Sequence, residues 1–403
     1  MGNHVMITGY GIISSIGLNA GDVLGSLIDG RSGIGEITRF QTIHKGNLPL
    51  AEVSKSNEEL LSICGLQGRK DYTRTALLGI IAAKQAAEMA GIKPDKAIPT
   101  GLVSATTVGG MDRSENFYAS FRENPLKGRL RDVINHDCGD STERIAEILG
   151  IWDFVTTIST ACSSSANAIM LGAELIRAGK LGRVIAGGTD AVTRFTLNGF
   201  NTLMILDKEG CRPFDENRAG LTIGEGAAFL VLESEDLAVK QGKKIYGIVS
   251  GYANANDAYH QTASSPEGTG ASLAMSGALE MSGLKPSDIN YINAHGTGTQ
   301  NNDLSEGIAI QKTFQEHVPP FSSTKSFTGH TLGAAGAIEA VISLLSIQHH
   351  CIFPNLRWTD RMKELQIEPV SMLIKDIDVK HVLSNSFGFG GNSSSLIFSD
   401  VNT

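Results

Sequence analysis

Residues 157–167 read Thr-Ile-Ser-Thr-Ala-Cys-Ser-Ser-Ser-Ala-Asn. Upstream, residues 152–157 are branched and aromatic, as strands are. Downstream, residues 166–179 are rich in Ala, Ile, Leu and Met, which favour helix. Cys162 therefore falls at a sharp strand-to-helix junction. Free N–H groups and the dipole at a helix N-terminus favour a thiolate there. A lone cysteine is more often a small buried hydrophobe. Here Ala161, Ser163, Ser164 and Ser165 bury little and leave room for a backbone turn and a ligand.

A second segment resembles the first. Residues 333–348 start with small residues, run apolar along most of their length and follow a short stretch containing Ser and Thr. A helix apolar on nearly all faces is buried. Cys162 stands at the entrance of one such helix and His330 at the entrance of the other, which suggests a duplicated unit with both entrances facing one site. Strand-like segments at 5–10, 101–104, 184–187, 227–232, 245–249, 291–294 and 395–398 alternate with helix-like segments at 72–90, 166–179, 271–282 and 333–348. That alternation predicts an α/β fold with mostly parallel strands. The polar stretch 240–244 is the expected boundary between halves spanning 1–240 and 241–403.

Composition narrows the functional classes. The 403 residues are 41% hydrophobic and 19% charged, as in a globular protein with a sizeable core. A net charge of −8 argues against a general nucleic-acid binder. No apolar run reaches about 18 residues without polar interruption, so no membrane span is expected. The N-terminus lacks a signal-peptide layout, and Met6 stands where a myristoylation signal needs Ser or Thr. Five widely spaced cysteines form neither a disulfide framework nor a metal motif. The expectation is a reducing, cytoplasmic location.

Three further segments concentrate unusual chemistry. Residues 293–299 read Asn-Ala-His-Gly-Thr-Gly-Thr, placing His295 at a strand end, a common position for active-site residues in open α/β sheets. Residues 324–330 read Thr-Lys-Ser-Phe-Thr-Gly-His, with Lys325 and His330 flanking a tight turn. Residues 384–392 read Ser-Asn-Ser-Phe-Gly-Phe-Gly-Gly-Asn, a loop whose glycines let backbone N–H groups approach a ligand. Its spacing is not that of a dinucleotide-binding loop. The lysine and the lack of a close ligand pair speak against zinc.

Taken together, these segments resemble the β-ketoacyl-acyl-carrier-protein synthases of the thiolase superfamily, of the chain-elongating type II group. The resemblance also covers residues 7–11, 160–164, 212–215 and 224–227. It implies a thiolase-like five-layer αβαβα fold built from two similar halves. It implies decarboxylative Claisen condensation of an acyl-Cys intermediate with malonyl-acyl carrier protein, giving 3-oxoacyl-acyl carrier protein in fatty-acid elongation. Cys162 would be the nucleophile, with His295 and His330 stabilising an enolate and Lys325 and Glu339 supporting the histidines. The backbone N–H groups of Cys162 and Phe389 would form the oxyanion hole, Phe389 also serving as a gate. Thr297, Thr299, Gly390 and Gly391 would contact substrate, with Val108 setting acyl-tunnel depth. Arg69, Lys70, Arg74, Lys127, Arg129 and Arg131 match regions that touch the acidic carrier protein. No metal or separate cofactor is implied, since substrates ride on the carrier's phosphopantetheine, and a homodimer is.

One departure stands out. After Gly390-Gly391 the family usually carries Thr-Asn, whereas this chain has Asn392-Ser393. The alternatives are a ketosynthase of a polyketide or specialised-lipid pathway, and a non-catalytic chain-length-factor-like partner, which generally lacks the nucleophile. A thiolase would carry a second active-site cysteine near the C-terminus, and a chain-initiating synthase Asn in place of the second histidine.

Overall fold

The computed structural model describes residues 4–92, 98–126 and 128–402. The first apolar run forms β1 (Val5–Ser14), buried along its whole length. Helix α1 (Arg74–Met89) starts at the Thr73 cap, whose hydroxyl accepts from the Ala76 N–H, and lies directly on this strand. Two glycines of β1 allow that contact. A Cβ on Gly11 would come within 2.1 Å of the Ala82 carbonyl oxygen, and one on Gly9 within 2.5 Å of the Ala86 oxygen.

Nine further strands join β1 in one sheet. They are β2 (Thr100–Ala105), β3 (Phe154–Ile158), β4 (Arg183–Asp190), β5 (Gly226–Ser234), β6 (Gly247–Asn256), β7 (Tyr291–Asn293), β8 (Phe321–Ser322), β9 (His381–Phe387) and β10 (Asn392–Ser399). Their spatial order is β8-β7-β9-β10-β6-β1-β5-β4-β2-β3. Read outward from the centre, the first half runs β1, β5, β4, β2, β3 and the second runs β6, β10, β9, β7, β8. Adding five to each strand of the first half reproduces the second. The pairing senses match as well: in each half the two outer pairs are parallel and the two inner pairs antiparallel. The halves meet where Val5, Met6 and Ile7 pair antiparallel with Val249, Ile248 and Gly247. This repeated topology is the duplication suggested by the two helix entrances. The expected bias to parallel strands is corrected, because five of the nine pairings are antiparallel. The last strand of each half returns beside the first instead of crossing over, which reverses its direction.

Helices complete five layers. Helix α1 and α2 (Cys138–Leu149) cover the outer face of the first half. Helix α3 (Ser164–Arg177) packs against the inner face of that half. After α4 (Arg194–Thr202), α5 (Thr269–Ser282) and α6 (Gln300–Phe314) form the outer layer of the second half. A short α7 (Lys325–Thr328) precedes α8 (Ala335–His349), which packs against α3 in the middle. Helix α8 is buried from Ala335 to Ile347, as its all-round apolarity predicts. The stretch Leu332–His349 is in fact long and apolar enough to cross a membrane, but 89% of it is buried inside the fold. Small residues let the two central helices approach: a Cβ on Gly336 would sit 2.9 Å from the Ala166 side chain. The Ser165 hydroxyl accepts from the Ala337 N–H at 2.9 Å. The entrances of α3 and α8 are thereby brought together.

Candidate active site

Cys162 lies on the turn between β3 and α3. Ala161 adopts φ of +52°, a left-handed conformation unusual for a residue with a Cβ. The turn is held by Ser164, whose hydroxyl accepts from the Thr160 N–H at 2.8 Å and donates to the Ala161 carbonyl. His295 follows β7, and His330 follows α7 after Gly329. Cys162, His295 and His330 line one cavity of about 270 Å³. The imidazole centroids are 5.3 Å apart with near-perpendicular planes.

Each histidine is set by its surroundings. Lys325 Nζ lies 3.1 Å from His295 Nδ1 and also bonds the Glu339 carboxylate. An ammonium can only donate, so Nδ1 accepts and the His295 proton resides on Nε2. Burial, then the Lys325 charge, then His330 hold the His295 pKa well below its ordinary value. Burial and Lys325 do the same to His330. Both rings are therefore neutral and able to donate one N–H at neutral pH. Burial pushes the Glu339 carboxyl up to about 7, with Lys325 opposing it.

For Cys162 the structure corrects the expectation from the helix N-terminus. Burial dominates and pushes the thiol up to about 12, while the Lys325 charge and a hydrogen bond from the Phe389 N–H pull it down. The helix begins two residues later, at Ser164. Burial therefore favours the protonated thiol. The Phe389 N–H nonetheless faces the sulfur, next to where a Cys162 thioester would carry its carbonyl oxygen.

The remaining residues divide. Thr297, Thr299 and Gly391 line the cavity, and the two threonine hydroxyls are 2.9 Å apart. The Phe389 ring lies 6.0 Å from Phe200 over the same cavity. Gly390 does not line it: its N–H donates to the Gln261 carbonyl and its own carbonyl accepts from Asn256. Val108 is not on the cavity wall either. Its N–H donates to Asp190, which draws it into an apolar cluster with Leu197, Leu221, Ile223 and Leu332. Arg69, Lys70, Arg129 and Arg131 are exposed, Arg69 pairing with Asp71 and Arg129 with Asp132. Lys127 lies outside the described residues. Arg74 is corrected outright: it is 6% exposed and makes a two-point ion pair with the buried Glu225. It anchors the start of α1 and is not available to a partner.

Three carboxylates that shape the site escaped the sequence reading. Glu306 accepts from the N–H groups of His295 and Gly296, each at 2.8 Å. Asp303 accepts from the Thr297 and Gly298 N–H groups. Asp190 accepts from Thr106, Thr107, Val108 and Gly333, joining segments of both halves. The available signal was the i, i+3 spacing of Asp303 and Glu306 in the first turns of α6, just after the His-Gly-Thr-Gly-Thr segment.

A buried Cys-His-His cavity at the meeting point of two duplicated α/β halves defines a condensing enzyme of the thiolase fold. The family models described as "Beta-ketoacyl synthase, N-terminal domain" and "Beta-ketoacyl synthase, C-terminal domain" match residues 2–238 and 246–359. The chain belongs to the β-ketoacyl synthase family. It is 34% identical over 411 residues to 3-oxoacyl-[acyl-carrier-protein] synthase 2 of Staphylococcus aureus (strain COL), with 98% of each chain covered. It is similar in structure to the ishigamide ketosynthase/chain length factor, with a TM-score of 0.92, 30% identity, and 98% and 99% of the two chains covered. A type II PKS acyl-carrier protein in complex with its ketosynthase bound to the hexaketide gives a TM-score of 0.89 at 25% identity, with 100% of both chains covered.

Proposed function

We propose that this chain condenses an acyl group held on Cys162 with malonyl-acyl carrier protein, elongating a fatty-acyl chain. In the first step Cys162 displaces the carrier sulfur from an acyl thioester, forming a Cys162 thioester and releasing the carrier thiol, which takes up the cysteine proton. The Cys162 and Phe389 N–H groups stabilise the oxyanion formed in passing. The malonyl-carrier thioester then loses carbon dioxide. The resulting enolate oxygen accepts from His295 Nε2–H and from His330. Its carbon attacks the acyl-Cys162 carbonyl, a carbon–carbon bond forms, and the Cys162 sulfur leaves and is reprotonated.

The observation that carries this reading is the shared cavity, with Lys325 donating to His295 Nδ1 so that Nε2–H is free for the enolate. Cys162 favours catalysis over a chain-length-factor role. Cys64, Cys138, Cys211 and Cys351 all lie off the cavity, which disfavours a two-cysteine thiolase. The reaction needs no cofactor beyond the carrier's phosphopantetheine, held by Thr297 and Thr299. The acidic carrier itself docks on Lys70, Arg129 and Arg131. A homodimer forms through the open β3 edge, next to which Trp152 is exposed. A polyketide chain as substrate is the second reading, supported by the resemblance to the solved ketosynthases with polyketide partners.

Mass spectrometry of Cys162 after exposure to a panel of acyl-carrier substrates tests both. A stable acyl adduct, lost in Cys162→Ala, is expected, and its chain identifies the pathway. Adducts absent from the parent, with no malonyl decarboxylation, would remove the proposal.

A further inference from the structure

Asn392 occupies the position where this chain departs from its family, and its side chain is fully engaged. Asn392 Oδ1 accepts from Ser163 Oγ at 2.6 Å, Asn254 Nδ2 at 2.8 Å and Asn167 Nδ2 at 2.9 Å. Ser163 is the residue after the nucleophile, and Asn167 lies one turn further along α3. Asn254 lies on β6, in the other half, where it also bonds Ser394. On the loop side, the Asn392 carbonyl accepts from the Gly388 N–H at 2.8 Å, closing the short turn that carries Phe389. One side chain thus connects the turn bearing Cys162 to the loop bearing the second oxyanion donor.

We propose that Asn392 is a positioning residue for the condensation: its carboxamide oxygen ties the Phe389 loop to the Cys162 turn and sets the oxyanion hole. The inference rests on the condensing-enzyme reading. The tie is built to release. Ser163 has one hydroxyl proton and faces Asn392 Oδ1 at 2.6 Å, the Thr160 carbonyl at 2.7 Å and, further off, Thr160 Oγ1 at 3.2 Å. When the loop lifts, that proton turns to the Thr160 carbonyl and nothing is left unpaired. Asn254 and Asn392 reach solvent, so their amides rebond to water. Loop displacement then costs little, and the tie selects the closed geometry without freezing it.

The test uses Asn392→Leu, which keeps the shape and removes the acceptor, and Asn392→Asp, which keeps an acceptor oxygen. Ser163→Ala removes the donor facing the loop and serves if the leucine variant does not fold. Single-turnover acylation of Cys162 and malonyl decarboxylation by the unacylated enzyme are measured on each. Acylation by Asn392→Leu should slow by roughly tenfold to a hundredfold, the scale of a misplaced reacting group. Decarboxylation, which uses the two histidines, should stay within about twofold, and Asn392→Asp should recover most of the acylation rate. Acylation by Asn392→Leu or Ser163→Ala close to the parent rate would overturn the proposal, as would parallel loss of both activities. Failure of the parent itself to acylate would instead overturn the condensing-enzyme reading.

Discussion

Lys325 is bonded to both His295 and Glu339, although it is almost wholly buried. Its two effects on His295 act together. It fixes the proton on Nε2, and its charge helps lower the ring's pKa. In the parent, neither imidazole gains a proton between about pH 8 and about pH 6, so any change in malonyl decarboxylation over that range should be shallow and follow the Glu339 carboxyl, which burial pushes up to about 7. Lys325→Met removes one cause of the lowering, so the His295 pKa rises toward its ordinary value. The variant's activity should then begin to fall at a higher pH than the parent's, although burial, the larger cause, still holds the imidazole below its ordinary value. Its best rate should also be roughly a hundredfold lower, since the tautomer is no longer enforced. A pH–rate profile of unchanged shape in Lys325→Met would remove this account of the lysine. His295, His330 and Cys162 stand out in the sequence through their motifs. The thiol's raised pKa does not, because it comes from burial by residues remote in the chain.

At the scale of elements, the site depends on where two backbones touch. Gly224 donates its N–H to the His330 carbonyl at 2.9 Å, and His330 donates to the Thr222 carbonyl at 2.6 Å. This short parallel bridge holds the second histidine. A Cβ at Gly224 would sit 2.2 Å from the Thr328 carbonyl oxygen, which is backbone and cannot swing aside. Gly224→Ala should cost about 1–3 kcal/mol, seen as a lowered midpoint in denaturant, with decarboxylation falling further than the folded fraction explains. Strand and helix segments were readable from apolar runs, but β8 and β9 were not. Strand β8 has two residues, too few for any periodicity. Strand β9 carries Ser384, Asn385 and Ser386, whose polarity hides a strand that is buried almost throughout. Asn385 is satisfied there by Glu306 and Ser395, partners that only the folded chain supplies.

At the scale of the whole molecule, the basic residues separate by burial. Arg74 and Glu225 form an internal clamp between α1 and the strand-end loop beside His330. Arg74→Ala leaves Glu225 buried without its partner and should cost about 3–5 kcal/mol of stability, read by denaturant titration. Arg129 and Arg131 are exposed, so reversing both to Glu should leave the unfolding midpoint unchanged. Carrier binding should weaken, most at low salt, where exposed charges are least screened. Equal affinity for parent and double variant at low ionic strength would exclude this face from docking.

Local sequence was sufficient for the nucleophile turn, the two histidine segments, the central helices and the existence of a repeat. These signals are short-range: side-chain size around Cys162, small residues at helix starts, and apolarity on every face of 335–347. The antiparallel return of the last strand in each half was not legible, because strand direction depends on which neighbours finally pair. The same holds for burial of Arg74, the neutrality of the imidazoles, and the tie from Asn392 to Ser163. In each case the partners lie far apart in the chain. Their distance, and the desolvation that comes with it, exist only once the two halves have closed on one another.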